Sequence, residues 1–275
     1  MSSLSLGAIR AKFSLLQDRG YLRLYPHIRP LVGKNKRSSK TRYKFIRANV
    51  FKAMDGEKLI HFYSVKRARL YFDKDGITNR INAVGLKYQT EGCTVKPKDI
   101  VFDIGANVGE FSISIGAIAN HVFSFEPDPV ARGALEENAK HYGTFQVLPW
   151  AMGEAPGELP FYVSSDGADS SIVVPDTYTK IITAKIETIS RAIAHFGLSK
   201  VDFLKLEAEG FEPEILKGAG ESIKFIRKIA VDVSPERQGE SPAEAVVMLL
   251  EKADFKVWRE KGIVFATNNR FFSET

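Results

Sequence analysis

Cysteine is nearly missing from this chain. Cys93 stands alone among 275 residues, which excludes an internal disulfide framework and any zinc site built from several cysteines. No run of ~18 apolar residues occurs, so no segment reads as a bilayer-spanning helix. Met1 to Arg10 lacks a basic leader followed by a long apolar stretch, so a secretory signal is not expected. The expected location is cytoplasmic, with a peripheral position at the inner membrane surface as a variant. No internal repeat of 20–50 residues is present, which excludes solenoids and propellers. The 44% hydrophobic and 26% charged residues exclude wholesale disorder and a fibrous chain.

Acid is scarce at one end. Residues 1–47 hold 12 Lys/Arg and one acid, Asp18, a balance of +11, whereas the remainder carries −5. An asymmetry of this kind points to an anionic partner or surface. Leu6, Ile9, Phe13 and Leu16 fall at helical spacing among Arg10, Lys12 and Arg19, which reads as a short basic amphipathic helix. It either packs on the main domain or meets an anionic membrane surface. Residues 33–44 read as a solvated basic linker. Nucleic acid is not the expected partner, because no aromatics interleave these charges and no recognition module is present.

Three parts are expected: a basic extension over 1–47, strands over 48–97 that pack on the core, and an α/β domain over 98–275. Across residues 43–90, Tyr43–Phe51, Lys58–Tyr63 and Ala68–Phe72 read as strands, with Asp55-Gly56 and Asp75-Gly76 as turns. From about residue 98, apolar runs at Ile100–Ile104, Val122–Phe125, Gln146–Ala151, Val201–Glu207 and Lys228–Val233 alternate with helical segments. These helical segments are Glu110–Ala119, Asp128–Tyr142, Thr188–Phe196 and Glu212–Phe225. Strands apolar on both faces and separated by helices predict a doubly wound, mostly parallel sheet. A helix over Ser241–Ala253 and a hairpin, Phe255–Arg259 with Ile263–Thr267, close the chain.

The strongest motif is Val101-Phe102-Asp103-Ile104-Gly105-Ala106-Asn107-Val108-Gly109-Glu110-Phe111. A buried strand enters a turn with two glycines and then a helix, the arrangement that binds ligands at the carboxyl edge of an open sheet. Gly105 lets backbone approach a ligand closely, and Gly109 lets the helix pack on the sheet. The next strand ends Phe125-Glu126-Pro127-Asp128-Pro129. Glu126 lies 23 positions after Asp103, near the ~20-residue offset at which an acid meets ribose hydroxyls. Pro127 ends the strand and sets the carboxylate at its tip. A dinucleotide would require Gly-x-Gly-x-x-Gly; here the spacing is Asp-x-Gly-x-x-x-Gly. An acid at Asp103 repels pyrophosphate and suits the cationic S-adenosylmethionine, which favours methyl transfer over hydride transfer. A Rossmann-type NAD(P)-dependent oxidoreductase and a non-catalytic interaction protein that keeps the fold stand as the alternatives.

These blocks, in order, resemble the FkbM family of S-adenosylmethionine-dependent methyltransferases over roughly residues 75–235. The resemblance is carried by Asp103–Gly109, by Phe125–Pro129, by Ala151 after the third strand, and by Asp169-Ser170-Ser171-Ile172. It continues through Asp202-Phe203-Leu204-Lys205-Leu206-Glu207-Ala208-Glu209-Gly210-Phe211-Glu212 and Leu216-Lys217-Gly218-Ala219. It implies a class I methyltransferase fold, seven strands with a reversed terminal strand, and methylation of hydroxyls on sugars, glycans, glycolipids or polyketides. Two positions depart from the family pattern: Glu207 replaces the aspartate of Lys-x-Asp-x-Glu-Gly, and Thr188-Ile189-Ser190 replaces Thr-Leu-Asp.

In the expected site, Asp103, Gly105, Ala106, Asn107, Gly109, Glu126, Pro127, Trp150 and Ala151 line the cofactor, with Trp150 either bordering the adenine or packed in the core. Strand alternation would place Lys205, Glu207 and Glu209 on one side. Glu209 is the first candidate base for the acceptor hydroxyl, Glu207 the second, and Lys205 their partner. Asp166, Asp169 and Ser170 sit in the polar loop 164–171, read as a cover over cofactor or acceptor. His195 and His121 read as structural. Asp166, Asp169, Glu207 and Glu209 could together hold a hard cation, but the spacing does not demand a metal and none is assigned.

Overall fold

The computed structural model describes residues 41–72, 76–164, 170–175, 177–237 and 239–271. The expectations for Asp166, for Asp169 and for the basic helix and linker up to residue 40 lie outside the described residues. The chain divides into two compact units, residues 1–80 and 81–275.

In the first unit, β1 (Arg42–Arg47), β2 (Val50–Asp55) and β3 (Lys58–Phe62) form an antiparallel sheet in that order. Asn49 and Gly56 turn the chain with positive φ. Phe51 stacks on Phe62 with ring centroids 5.7 Å apart, and Tyr71 lies tilted against Phe62 at 5.4 Å. The strand expected over Ala68–Phe72 is instead a 3-10 helix, Val65–Tyr71. The Ser64 side chain accepts the Lys66 N–H and starts the turn, and the buried Ala68 and Tyr71 are spaced by three rather than two. Gly76, read as half of a turn, opens helix α1 (Gly76–Lys87).

The second unit carries the site. Its seven strands are β4 (Ile100–Ile104), β5 (His121–Phe125), β6 (Gln146–Leu148), β10 (Phe203–Leu206), β11 (Lys228–Asp232), β12 (Phe255–Glu260) and β13 (Ile263–Asn268). Their order is β12-β13-β11-β10-β4-β5-β6. The strands from β11 to β6 pair in parallel, while β13 runs antiparallel to both its neighbours. This is the doubly wound sheet expected, closed by the expected hairpin and reversed terminal strand. The chain order turns back between β4 and β10, so loops after those two strands part to opposite faces and leave a crevice.

Alternation along each strand feeds two cores. Phe102, Ile104, Leu204, Leu206, Ile229 and Val231 face one cluster, covered by α4 (Ile189–His195), α5 (Glu212–Lys217) and α6 (Ala243–Lys252). Val101, Phe203, Ala230 and Phe265 face the other, where Phe111 and Ile115 of α2 (Glu110–Gly116) and Leu135 of α3 (Pro129–Tyr142) meet them. Helix starts follow capping chemistry: Asp128 accepts the Val130 N–H at 2.8 Å with Pro129 behind it, and Thr188 accepts the Arg191 N–H at 3.1 Å. A third sheet, β7-β9-β8, is built from β7 (Ala151–Met152), β9 (Lys180–Glu187) and β8 (Gly157–Val163). The single strand expected over Gln146–Ala151 is therefore two strands in two sheets, because Pro149 removes a donor at the break. Likewise Glu212–Phe225 is α5 followed by a 3-10 turn from Gly220.

Candidate functional site

The site stands at the carboxyl ends of β4, β5, β10 and β11. Register sets its floor: Lys205 of β10 lies directly beside Asp103 of β4, and both point to the same face. The Lys205 ammonium is 3.2 Å from Asp103 Oδ1 and 3.3 Å from Glu207 Oε2. It also donates to the carbonyls of Ile104, at 3.2 Å, and Gly105, at 2.7 Å. Burial alone would lower its pKa, but the charges of Asp103 and Glu207 outweigh this and raise it. Asp103 is fully buried, and its second oxygen accepts from Ser112 Oγ at 2.5 Å. Its charge is thus spent inward on the loop's foundation and does not face a ligand openly.

The glycine loop follows from this packing. A Cβ on Gly105 would fall on the backbone carbonyl oxygen of Glu207, and φ there is +71°. Gly105 thus brings the loop after β4 against the end of β10. Gly109, with φ +90°, would press a Cβ to 2.6 Å from Leu135 Cδ1 of α3. Gly105 and Ala106 both donate to the Phe125 carbonyl. Asn107 sits at φ +52°, where its N–H donates to Glu126 Oε2 at 2.8 Å. The other carboxyl oxygen of Glu126 accepts the Asp128 N–H at 2.8 Å. Glu126 is buried, and burial with the nearby charge of Asp128 pushes its carboxyl up to about 8. The Pro127 carbonyl accepts from Arg132 Nη1 at 2.8 Å. The Asn107 Oδ1 atom is buried and has no hydrogen-bond partner.

Lys87, at the end of α1, bridges Glu207 Oε1 at 3.0 Å and Asp232 Oδ2 at 2.6 Å. Burial would raise the Glu207 carboxyl, yet Lys205 and Lys87 overcome it and hold it down at about 2. Asp232, at the tip of β11, also accepts from Ser234 Oγ at 2.6 Å and from Tyr88 at 3.4 Å. Burial, then Glu207 and Asp232, hold the Tyr88 phenol well above its usual range. These residues sequence reasoning missed. Asp232-Val233-Ser234-Pro235 repeats the strand-tip acid and proline stop of Glu126-Pro127, the signal that could have found Asp232; Lys87 and Tyr88 carry no motif.

β10 ends at Leu206, so strand alternation reaches Lys205 and Glu207, which touch, but not Glu209. Glu209 lies in a turn with φ +52°. Its carbonyl accepts from Ser171 Oγ at 3.1 Å, and Ser170 Oγ donates to Asp128 Oδ2 at 3.0 Å. Adjacent serines therefore reach the loops after β10 and β5, which flank the loop after β4. Trp150 stacks on Phe125, 6.2 Å away, and Phe196, 6.0 Å away, with the Lys185 ammonium 5.1 Å from its ring. It packs on the core face bearing α4. Ala151 is buried in β7 beside Ile186. Among the described residues no group of three or more His, Cys, Asp or Glu is arranged to hold a metal ion.

Strand order, reversed β13 and an acid-flanked glycine loop after the first strand of the seven-stranded sheet define a class I methyltransferase fold. The family model described as "Methyltransferase FkbM domain" matches residues 103–257, and the chain belongs to that family. It is 25% identical over 213 residues to the AMB antimetabolite synthetase AmbE of Pseudomonas aeruginosa, covering 62% of this chain and 10% of that protein. It is 26% identical over 154 residues to the hexuronic acid methyltransferase AglP of Haloferax volcanii, covering 56% of this chain and 62% of that one. It is 27% identical over 216 residues to the 31-O-demethyl-FK506 methyltransferase FkbM of Streptomyces tacrolimicus, covering 65% of this chain and 81% of that protein. The chain thus spans a tenth of the first relative and about three fifths of the second.

Proposed function

We propose that the chain is an S-adenosylmethionine-dependent O-methyltransferase that methylates a hydroxyl of a sugar, glycan or glycolipid. The observation that carries the cofactor is the Glu126–Asn107 pair. A buried acid at the tip of β5 is fixed by two backbone amides, and beside it a buried Asn107 oxygen lacks a donor. A buried acceptor without a donor is costly, and a cofactor rich in hydroxyl and amino donors supplies what is missing. The residues present therefore fit this group: Glu126 would take ribose hydroxyls by charge-assisted hydrogen bonds, and Asn107 a further donor. Gly105 and Ala106 would offer a close backbone approach. When bound, S-adenosylmethionine supplies an electrophilic methyl group on a sulfonium.

Because that donor is already activated, the protein's share is largely positioning. Lys205 ties the loop after β4 to the end of β10, and Ser170 and Ser171 reach the loops on either side. Glu209, on the turn after β10, is the proposed base for the acceptor hydroxyl, and Glu207, held ionised by two lysines, a fixed charge beside it. Two of the relatives, by their names, act on a hexuronic acid and on 31-O-demethyl-FK506, which supports an oxygen acceptor.

The test is methyl transfer from isotope-labelled S-adenosylmethionine to a panel of glycans, glycolipids and free sugars. Label recovered as an alkali-stable methyl ether supports the reading. Label that appears only on nitrogen, carbon or carboxylate oxygen overturns it.

A further inference from the structure

The ion pairs at the ends of β4, β10 and β11 differ in what reaches solvent. Lys87–Glu207 exposes both partners, 42% and 31% of each side chain. In Lys87–Asp232, Lys205–Glu207 and Lys205–Asp103 at least one partner is 3% exposed or less. An exposed pair contributes little to stability, yet this one is held from both sides. Asp232 lies 2.6 Å from the Lys87 ammonium, and the Tyr88 ring centroid 4.8 Å from it. Asp232 is itself fixed by the Ser234 N–H at 2.9 Å and Oγ at 2.6 Å. Lys205 holds the other Glu207 oxygen at 3.3 Å. The Glu207 carbonyl is the one that Gly105 lies against, so this side chain starts beside the loop proposed to hold the cofactor.

Donors and acceptors remain on this pair. An ammonium carries three N–H donors. Lys87 directs one to Glu207 and one to Asp232, and the third has no partner among the described residues. A carboxylate offers about four acceptor positions, and Lys87, Lys205 and the Tyr88 phenol occupy up to three of those on Glu207. One donor and one acceptor are therefore left, on atoms 3.0 Å apart. That spacing matches the two oxygens of a vicinal diol on a sugar ring. One oxygen accepts from the ammonium, and the O–H of its neighbour donates to the carboxylate. A lone hydroxyl that bridged both atoms would close a triangle and bend the bonds away from the linear geometry they prefer.

We infer that Lys87 and Glu207 form the acceptor subsite and recognise a vicinal diol of a sugar ring, Lys87 donating to one oxygen and Glu207 accepting from its neighbour. This rests on the reading of the chain as a methyltransferase of sugar hydroxyls and narrows it to acceptors with two neighbouring free hydroxyls. The subsite binds by hydrogen bonds, and no covalent bond forms or breaks at it. Against burial, Lys205 and Lys87 hold the Glu207 carboxyl down at about 2, so Glu207 accepts the hydrogen and leaves the proton on the sugar. Because both groups are fixed before the sugar arrives, little ordering is needed on binding.

The test uses the full chain loaded with S-adenosylhomocysteine, so that binding is read without turnover. The probes are methyl hexopyranosides that take label in the methyl-transfer assay, each with its monodeoxy analogues, titrated by NMR. Removal of either hydroxyl of one neighbouring pair is expected to weaken wild-type binding roughly tenfold or more, the loss of a hydrogen bond to a charged group. Lys87→Met is expected to bind the intact glycoside more weakly by a similar factor and to become indifferent to one hydroxyl of that pair, while the other still counts. Lys87→Arg keeps a donor and is expected to recover part of the loss. The wild-type deoxy series decides the matter even where Lys87→Met fails to fold. Equal affinities for intact and deoxy glycosides, an equal loss on every glycoside in Lys87→Met, or label taken only by hydroxyl compounds without a vicinal diol overturns the subsite. Label found only on nitrogen, carbon or carboxylate oxygen overturns the methylation reading instead, whereas ether-linked label without a deoxy effect overturns the subsite alone.

Discussion

Asp103 and Lys205 show how one buried ion pair can serve both stability and site geometry. Lys205 is 2% exposed and Asp103 fully buried, so neither charge survives alone. Removing one partner of a buried pair typically costs ~3–5 kcal/mol, because the remaining charge is left uncompensated. Lys205→Met also deletes the donors to the Ile104 and Gly105 carbonyls. It is expected to lower unfolding stability by about that amount in urea titrations; a loss below ~1 kcal/mol would place this pair in the class of solvent-screened surface pairs. At the same scale, motif and spacing make Asp103, Gly105, Asn107 and Glu126 legible in the sequence. What those residues touch is not legible there. The motif presents Asp103 as a carboxylate open to a cationic ligand, and register with Lys205 turns it inward. Asp232 is equally visible as an acid at a strand tip before a proline, but it lies outside the family's motif blocks.

Elements are legible where one period dominates. β4, β5, β10, β11, α3 and the closing hairpin lie within a few residues of expectation, since each is apolar on both faces or cleanly capped. β8 and β9 escape because their apolar faces are short and Pro160 interrupts the first, and α1 because Asp75-Gly76 reads as a turn and Gly85 interrupts its pattern. Tertiary packing, not propensity, decides such elements. The turn after β4 is the element on which the site depends most, and its glycine can be tested against a neutral one. Gly143 also has positive φ, at +66°, but open space where a Cβ would stand. Gly143→Ala is therefore expected to cost only the left-handed penalty of ~1–2 kcal/mol. Gly105→Ala must displace the Glu207 carbonyl as well and is expected to cost clearly more, with loss of cofactor binding. Equal stabilities of the two variants in chemical denaturation would show that the loop after β4 does not lean on β10.

For the whole molecule, charge asymmetry remains the feature that family membership does not absorb. Among the described residues no helix is long and apolar enough to cross a membrane. Residues 1–47 nonetheless carry +11 against −5 in the remainder, and we propose that this segment attaches the enzyme to an anionic membrane surface. Lys34, Lys36, Arg37 and Lys40 changed together to Gln remove four of these charges. Each basic residue near an anionic surface contributes ~1 kcal/mol, so sedimentation with phosphatidylserine vesicles at low salt is expected to fall by more than a hundredfold in affinity. Raising salt should weaken the wild type toward the variant as the Debye length shrinks. Equal sedimentation of both at low salt would remove the membrane role.

The central claim is that the loops after β4 and β5, beside the crevice at the β4–β10 turning point, hold S-adenosylmethionine through Glu126. Its most direct measurement is calorimetric titration of wild type and Glu126→Ala with S-adenosylhomocysteine between pH 6.5 and 8.5. Burial, with the nearby charge of Asp128, pushes the Glu126 carboxyl up to about 8, and its ionised form is the better acceptor of hydroxyl donors. Wild-type affinity is therefore expected to tighten as pH rises toward that value, since the proton must leave for the ligand to bind. The variant is expected to bind roughly 10- to 150-fold more weakly, the loss of a hydrogen bond to a charged group, and without that pH dependence. Unchanged affinity in Glu126→Ala, or no binding heat in the wild type at any pH, would contradict the account.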